Sequence, residues 1–116
     1  MEFDNNVPIY LQVIKEIKQD LIQGNLLLGD KMLSTRDLAL KYQINPNTAG
    51  RIYRELEQEG ICYTRRGLGT FVTDDTTILR KIQEDMASES IDSFLLTMRK
   101  LGFSKEELLR IINDKY

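Results

Sequence analysis

Residues 45–72 read NPNTAGRIYRELEQEGICYTRRGLGTFV, and this stretch decides the fold. Asn45 and Pro46 are the residue types that cap a helix and occupy its first position. Gly60 is the residue type that commonly follows the end of a helix. Between them, apolar side chains recur at helical spacing at Ala49, Ile52, Tyr53 and Leu56. The stretch therefore predicts a helix with a polar first turn that leads directly into a basic segment.

A short hairpin is predicted immediately after this helix. One strand is expected from residue 61 to residue 64 or 65, and a second strand over residues 69–73. Residues 66–68 form the connecting turn, where Gly67 and Gly69 permit positive φ angles. We expect this hairpin, which carries the arginines and glycines, to lie beside the helix.

A first helix is predicted near the N-terminus. It is expected to begin at Pro8, whose missing N–H suits a first-turn position, and to end at Gly24 or Asn25. Residues 26–28 predict a short extended piece that is followed by a turn. The apolar stripe of the helix consists of Ile9, Val13, Ile17 and Leu21.

A second helix is predicted over residues 35–42. Ser34 is its expected N-cap, and Asp37 stands three residues later in a variant of the capping-box pattern. Three helices followed by a hairpin, over residues 1–73, are typical of a winged helix-turn-helix domain. The predicted fold class is therefore mainly α with a small β-hairpin and a short helical segment after it.

Residues 74–116 form a tail that the sequence predicts to be helical. Its first part is either one long helix or two helices broken near residues 88–90, and both alternatives stay open. Ser104 and Glu107 have the capping-box spacing that opens a last helix. A small domain with its own core cannot also bury the apolar stripes of the tail, which favours a homodimer interface over a ligand pocket. The candidate dimerisation residues are Ile82, Met86, Ile91, Phe94, Leu95, Met98, Leu108 and Ile112.

The composition argues against several classes of function. The chain has 116 residues, no histidine and a single cysteine, Cys62. The lack of histidine excludes histidine-dependent catalysis and nearly every kind of zinc site. A single cysteine cannot form an intrachain disulfide. No glycine-rich phosphate loop is present, so we expect no enzyme, no catalytic residue, no cofactor and no bound metal. No apolar run approaches the roughly 20 residues of a membrane span, and the acidic N-terminus does not resemble a signal peptide. We therefore expect a cytoplasmic protein without membrane contact.

The charge distribution is more informative than the net charge of −2. Residues 31–73 carry seven Lys or Arg against four acidic residues, a net charge of +3. Residues 1–30 carry a net charge of −3, and residues 74–116 a net charge of −2. The positive charge is thus concentrated in the segment with the helix-hairpin pattern, although a surplus of this size is also compatible with ordinary fluctuation.

Four blocks of the sequence resemble the GntR family of bacterial transcription regulators. They are PIYLQ at residues 8–12, GDKMLSTRDLA at residues 29–39, NPNTAGRIY at residues 45–53, and the segment from EG to GLGTFV at residues 59–72. The resemblance implies a winged helix-turn-helix that binds double-stranded DNA. The short tail resembles the YtrA-like branch, in which such a tail serves dimerisation and whose members often control transporter genes. A small-molecule effector is left open.

Three positions depart from the family pattern. Leu28 and Leu33 stand where the family usually has proline, which changes the rigidity of the loops before the second helix. Gly50 lies in the first turns of the recognition helix, where a side chain commonly points at DNA. Glycine there costs about 1 kcal/mol of helix stability relative to alanine, and it leaves room for a close approach.

The candidate DNA contacts fall into three groups. Asn47, Thr48 and Arg51 would face the major groove, where asparagine pairs with adenine and arginine with guanine. The start of the second helix would hold phosphates, and the hairpin would lie along the DNA backbone or in the minor groove. These last two groups consist of Ser34, Arg36, Arg65, Arg66, Gly67, Gly69 and Thr70.

The main hypothesis is a homodimeric, sequence-specific transcription regulator, interpreted as a repressor, on a palindromic operator. The alternative is a winged-helix module that binds another protein, which the acidic flanks favour. Arg54 is interpreted as a solvated side chain paired with Glu57 or Gln58, and Cys62 as a buried filler. The operator, the regulated genes and the sign of regulation stay open.

Overall fold

The computed structural model describes residues 2–116, which form five helices and one antiparallel hairpin. The predicted order of three helices, a hairpin and a helical tail is confirmed. The helices are α1 (Ile9–Gln23), α2 (Thr35–Tyr42), α3 (Pro46–Gln58), α4 (Thr77–Lys100) and α5 (Lys105–Lys115). The strands are β1 (Cys62–Arg65) and β2 (Gly69–Val72).

One apolar core joins the first three helices and the hairpin. Helix α3 packs against α1, α2 and β1, so it occupies the centre of this unit. Helices α2 and α3 bury the faces that their apolar periodicity predicts. In α1 the predicted stripe is wrong at one position, since Ile9 is 42% exposed and Ile14 is buried with Val13, Ile17 and Leu21. The most deeply buried side chains from these elements include Val13, Ile17, Leu21, Leu38, Ala49, Ile52, Leu56 and Val72.

The predicted caps hold the ends of these helices. The Ser34 hydroxyl accepts the backbone N–H of Asp37 at 3.0 Å and so satisfies one free donor at the start of α2. The Asn45 side chain accepts the N–H of Asn47 at 2.8 Å at the start of α3. Gly24 follows α1 in the left-handed conformation, with φ of +80°. The capping side chains thus fix the start of both helices of the helix-turn-helix.

A third extended segment pairs with β2, which the sequence did not predict. The N–H of Met32 donates to the Thr70 carbonyl at 2.7 Å, and Lys31 forms an isolated bridge opposite Phe71. The extended piece was expected at residues 26–28, and that expectation is wrong. These residues belong to a turn because the Asp30 carboxylate accepts the N–H of Leu27 at 2.8 Å and Gly29 has a φ of +82°.

The tail begins with one continuous helix, which resolves the alternative that the sequence left open. Ahead of α4, the Asp75 carboxylate accepts the backbone N–H of Thr77 at 2.9 Å, and the hydrogen bonds from Thr77 lower the pKa of Asp75. The capping box of Ser104 and Glu107 is confirmed at the start of α5. The chain divides into two compact units, the first ending at Ile82 and the second comprising Gln83–Tyr116. Within residues 2–116, no helix combines the length and apolarity that crossing a bilayer requires.

The hydroxyl of Tyr53 ties α3 to the loop before α2. It donates a hydrogen bond to the Leu33 carbonyl, at one of the positions where the family usually has proline. We expect Tyr53→Phe to lower the free energy of unfolding by about 0.5–1.5 kcal/mol, because the Leu33 carbonyl loses its partner while the ring stays packed. Urea denaturation of both proteins measures the difference, and equal midpoints with equal slopes would show that this bond contributes nothing.

Candidate nucleic-acid interface

The exposed side of α3 carries a row of polar residues that we call the outward strip: Asn47, Gly50, Arg51 and Arg54. Successive helix residues lie about 100° apart, so these four positions share the side opposite the buried face of Ala49, Ile52 and Leu56. Asn47, Arg51 and Arg54 are exposed, and Gly50 is half-buried. Thr48 lies at the edge of the strip and is half-buried. A helix with this arrangement presents two cations and one amide to a partner.

Arg51 is held in place by a residue of another helix. Its Cζ atom lies 3.8 Å from the centroid of the Tyr10 ring, on the first turn of α1. Its Nε atom is 3.9 Å from the Glu55 carboxylate, one turn further along α3. A guanidinium stacked on an aromatic face keeps its edge donors free, so Tyr10 restricts the side chain without occupying its hydrogen-bonding groups.

Arg54 does not have the neighbour that the sequence suggested. The interpretation that it pairs with Glu57 or Gln58 is wrong, since Arg54 forms no ion pair or side-chain hydrogen bond within residues 2–116. A β-carbon built at Gly50 would lie 3.4 Å from the Arg54 Nη1 atom. The guanidinium therefore lies back along the helix, over Gly50. The carboxylate of Glu57 instead accepts a hydrogen bond from Thr64 of the hairpin.

The candidate phosphate contacts at α2 are exposed at its first turn. Ser34 and Arg36 both have exposed side chains. The Ser34 oxygen already accepts the N–H of Asp37, which leaves its hydroxyl hydrogen free to donate to another group. The two residues therefore combine a helix N-terminus, a hydroxyl donor and a positive charge, the arrangement that binds phosphate oxygens.

The hairpin at residues 62–72, which we call the wing, places its arginines at the tip. Arg65 pairs opposite Gly69, and its Cζ lies 5.6 Å from the Tyr63 ring and 6.0 Å from the Phe71 ring. Arg66 and Gly67 follow in the exposed turn, where Gly67 has a φ of +80°. The positive φ predicted for glycine in this turn is confirmed, and Arg65 and Arg66 are both exposed.

A hydrogen bond joins the outer half of the wing to α3. The hydroxyl of Thr64 donates to Glu57, and it lies 3.3 Å from the hydroxyl of Thr70 on the other strand. Thr70, one of the predicted phosphate contacts, is half-buried on β2 opposite Thr64. These contacts hold the wing against α3.

Lys31 is a basic residue of this surface to which sequence reasoning gave no role. A β-carbon at Gly69 would lie 3.1 Å from the Lys31 Cε atom, so the lysine side chain runs across the wing backbone. Only the pairing of residues 30–32 with β2 brings it there. The GDK block before α2 is the sequence signal for this lysine, but the block alone does not show that the lysine reaches the wing.

Cys62 lies inside the unit, as its position on an apolar strand suggested. Its side chain is 4% exposed, its Sγ atom is 3.9 Å from the Tyr53 carbonyl, and burial raises the pKa of its thiol to about 12. A thiol with this pKa carries almost no thiolate at pH 8, and thiolate is the reactive form.

We therefore expect Cys62 in the folded protein to resist iodoacetamide at pH 8, under conditions that fully alkylate the urea-unfolded chain. The raised pKa also means that the thiol ionises more readily in the unfolded chain, so its contribution to stability is lost as the pH rises through the alkaline range. Intact-mass spectrometry after a timed reaction measures the alkylation. Equal rates for folded and unfolded protein would place the thiol in contact with solvent.

The candidate dimerisation residues differ in exposure. Ile82 and Leu108 are already buried within the single chain. Ile91, Phe94 and Ile112 are exposed, at 53%, 41% and 38%, and Met86, Leu95 and Met98 are half-buried. The exposed members are large apolar side chains on helices that carry charge on other faces, which is the usual composition of a surface that another protein covers.

Comparison with known proteins identifies the family. A family profile described as bacterial regulatory proteins, gntR family, matches residues 9–72. The chain belongs to the GntR family. The matched span covers α1 to β2, so the family resemblance and the winged helix-turn-helix expected from the sequence are confirmed.

Individual GntR-family proteins resemble the chain along most of its length. The HTH-type transcriptional repressor YtrA of Bacillus subtilis is 35% identical over 111 residues, which are 95% of this chain and 85% of YtrA. A GntR-family transcriptional regulator from Listeria monocytogenes has a TM-score of 0.87 and 37% identity, and the match covers 98% of this chain and 100% of that one. The likeness thus includes the tail, which confirms the resemblance to the YtrA-like branch.

The solved neighbours include complexes of AraR with an operator. The DNA-binding domain of AraR in complex with operator ORX1 has a TM-score of 0.55 and 30% identity, and the match covers 58% of this chain and 81% of that one. As a GntR-family protein with a winged helix-turn-helix, the chain is a DNA-binding transcriptional regulator.

Proposed function

We propose that this GntR-family protein is a homodimeric repressor that binds a palindromic operator in the cytoplasm and has no catalytic activity. The observation that carries the proposal is the outward strip, an exposed row of asparagine and arginine on α3 with Arg51 stacked on Tyr10. A helix that enters the major groove reads bases with residues near its N-terminus, and asparagine and arginine are the side chains that pair bidentately with adenine and guanine.

The remaining basic groups have the positions that backbone contacts need. Ser34 and Arg36 stand at the start of α2, and Arg65 and Arg66 at the wing. Lys31 adds a cation beside Gly69 on the same wing. Phosphate contacts of this kind position a protein on the duplex, whereas side chains in the groove supply the sequence preference.

The sign of regulation and the dimer are supported by different observations. YtrA, similar along 95% of this chain, is described as a repressor. The resemblance to the YtrA-like branch adds transporter genes to the proposal as the genes that are regulated. The exposed apolar side chains of α4 and α5 favour pairing of two copies through the tail. In this proposal, residues 1–73 bind DNA and residues 74–116 form the dimer interface. The same segment, residues 74–116, is where a small-molecule effector would bind.

Selection of bound sequences from random duplexes tests the proposal. We expect the wild-type protein to enrich a palindrome whose half-sites are centred about 10 base pairs apart or a multiple of that distance. A matched control is the variant with Asn47, Arg51 and Arg65 all replaced by alanine, which should enrich nothing. If the wild-type protein also enriches no common sequence, the proposal is wrong and the protein-binding module becomes the better account.

A further inference from the structure

The side chain of Arg54 lies beside the position where a side chain at Gly50 would begin, on the outward strip. The two residues are one helical turn apart, and a β-carbon built at Gly50 would lie 3.4 Å from the Arg54 Nη1 atom. Long side chains on a helix lean toward its N-terminus and cover the preceding turn. The guanidinium of Arg54 therefore lies over the preceding turn of α3, toward the half of the helix that carries Asn47 and Arg51.

Arg54 also differs from Arg51 in what surrounds it. Arg51 is stacked on Tyr10 and is close to the Glu55 carboxylate. Arg54 is exposed and, within the part of the chain that the structure describes, has no aromatic ring, carboxylate or side-chain acceptor as a partner. Its guanidinium thus lies beside a backbone position that has no side chain, with no side-chain acceptor bound to its N–H donors among residues 2–116.

We propose that Arg54 is a second specificity-determining residue, which donates to N7 and O6 of a guanine in the major groove, and that Gly50 makes room for it. The inference rests on the proposed function, because it requires α3 to enter the groove. Arg54 lies on the same line of the helix as Asn47, about two turns away, and therefore faces the same groove. The planar fork of a guanidinium matches the two acceptors of guanine. A residue that contacts phosphate would instead lie at the side of the helix, whereas Arg54 lies on the outward strip.

Random-duplex selection with Arg54→Lys and Arg54→Ala tests this assignment. Lysine keeps the charge but loses the fork, so Arg54→Lys should reduce the preference for guanine at one position of each half-site by roughly 5- to 150-fold. Arg54→Ala should lose the same preference and also bind more weakly. Arg110→Ala, which removes an exposed arginine of α5 about 200° around the helix from the buried Leu108, is the control and should keep the wild-type preferences.

A second variant tests the role of Gly50 without touching Arg54. Gly50→Leu introduces a good helix former whose side chain would fill the space of the guanidinium, so the domain should fold and still lose the same guanine preference.

The outcomes distinguish the role of Arg54 from the proposed function. Unchanged base frequencies in Arg54→Lys, or uniform weakening in Arg54→Ala with the wild-type motif, overturn the role of Arg54 and leave the proposed function standing. Failure of the wild-type protein to enrich any motif overturns both.

Discussion

An Arg51→Ala variant is expected to bind the selected operator about 5- to 150-fold more weakly than the wild-type protein, and to accept any base at one position of each half-site. A bidentate contact between arginine and guanine contributes about 1–3 kcal/mol of discrimination. Arg51 is already held by Tyr10, with its Cζ 3.8 Å from the ring centroid, so little conformational freedom remains to be lost on binding. Removing the side chain therefore removes an ordered contact.

The matched comparison for Arg51→Ala is Arg65→Ala. Arg65 lies over the rings of Tyr63 and Phe71 on the wing, where we expect it to contact the sugar-phosphate backbone. Its removal should weaken binding equally on all duplexes and lower the slope of log affinity against log salt by about one. Fluorescence anisotropy with the operator and one base-substituted operator, at four salt concentrations, separates the two effects. If both variants lose the same affinity on every duplex, Arg51 does not read a base.

A Phe94→Glu variant is expected to be monomeric at micromolar concentration and to bind the palindromic operator roughly 100-fold or more weakly. The Phe94 side chain is 41% exposed in the single chain, so the substitution leaves folding largely intact but puts a charge into the proposed interface. Two linked DNA-binding units gain about 10²–10⁴ in avidity over one, and this gain disappears when the dimer dissociates.

The control for Phe94→Glu is Ser93→Glu, which adds the same charge to α4 at an exposed position about 100° away around the helix. Ser93→Glu should remain dimeric with wild-type affinity. Light scattering coupled to size exclusion gives the mass of each protein, and circular dichroism checks that the helices are intact. A Phe94→Glu protein that is still dimeric would move the interface away from this part of the tail.

Local sequence signals predicted the helices and the wing because their causes are local. Ser34 and Ser104 cap helices through hydrogen bonds that span three residues, and Gly67 meets the need for positive φ within a single turn. The sequence did not predict that α4 is one continuous helix. Nothing among residues 88–90 forces a break, and helix propensity alone did not decide between one helix and two.

The features that the sequence did not disclose depend on contacts between distant residues. Lys31 reaches the wing because residues 30–32 pair with β2, some forty positions later in the chain. Tyr10 meets Arg51 across the packing of α1 against α3. Arg54 was expected to pair with a nearby acid, but Glu57 is engaged by Thr64, and the guanidinium lies beside the position where a side chain at Gly50 would begin. Spacing along one helix contains no information about such alternatives.

Methylation interference on the selected operator tests the central claim most directly, because N7 of guanine lies in the major groove and N3 of adenine lies in the minor groove. We predict that methylation of guanine N7 at two symmetric clusters, about one helical turn or a multiple apart, prevents binding by the wild-type protein, and that one position of each cluster becomes indifferent in Arg51→Ala. Interference confined to adenine N3, or none at any guanine, would contradict the account, because it would mean that the arginines of the outward strip do not contact guanine in the major groove.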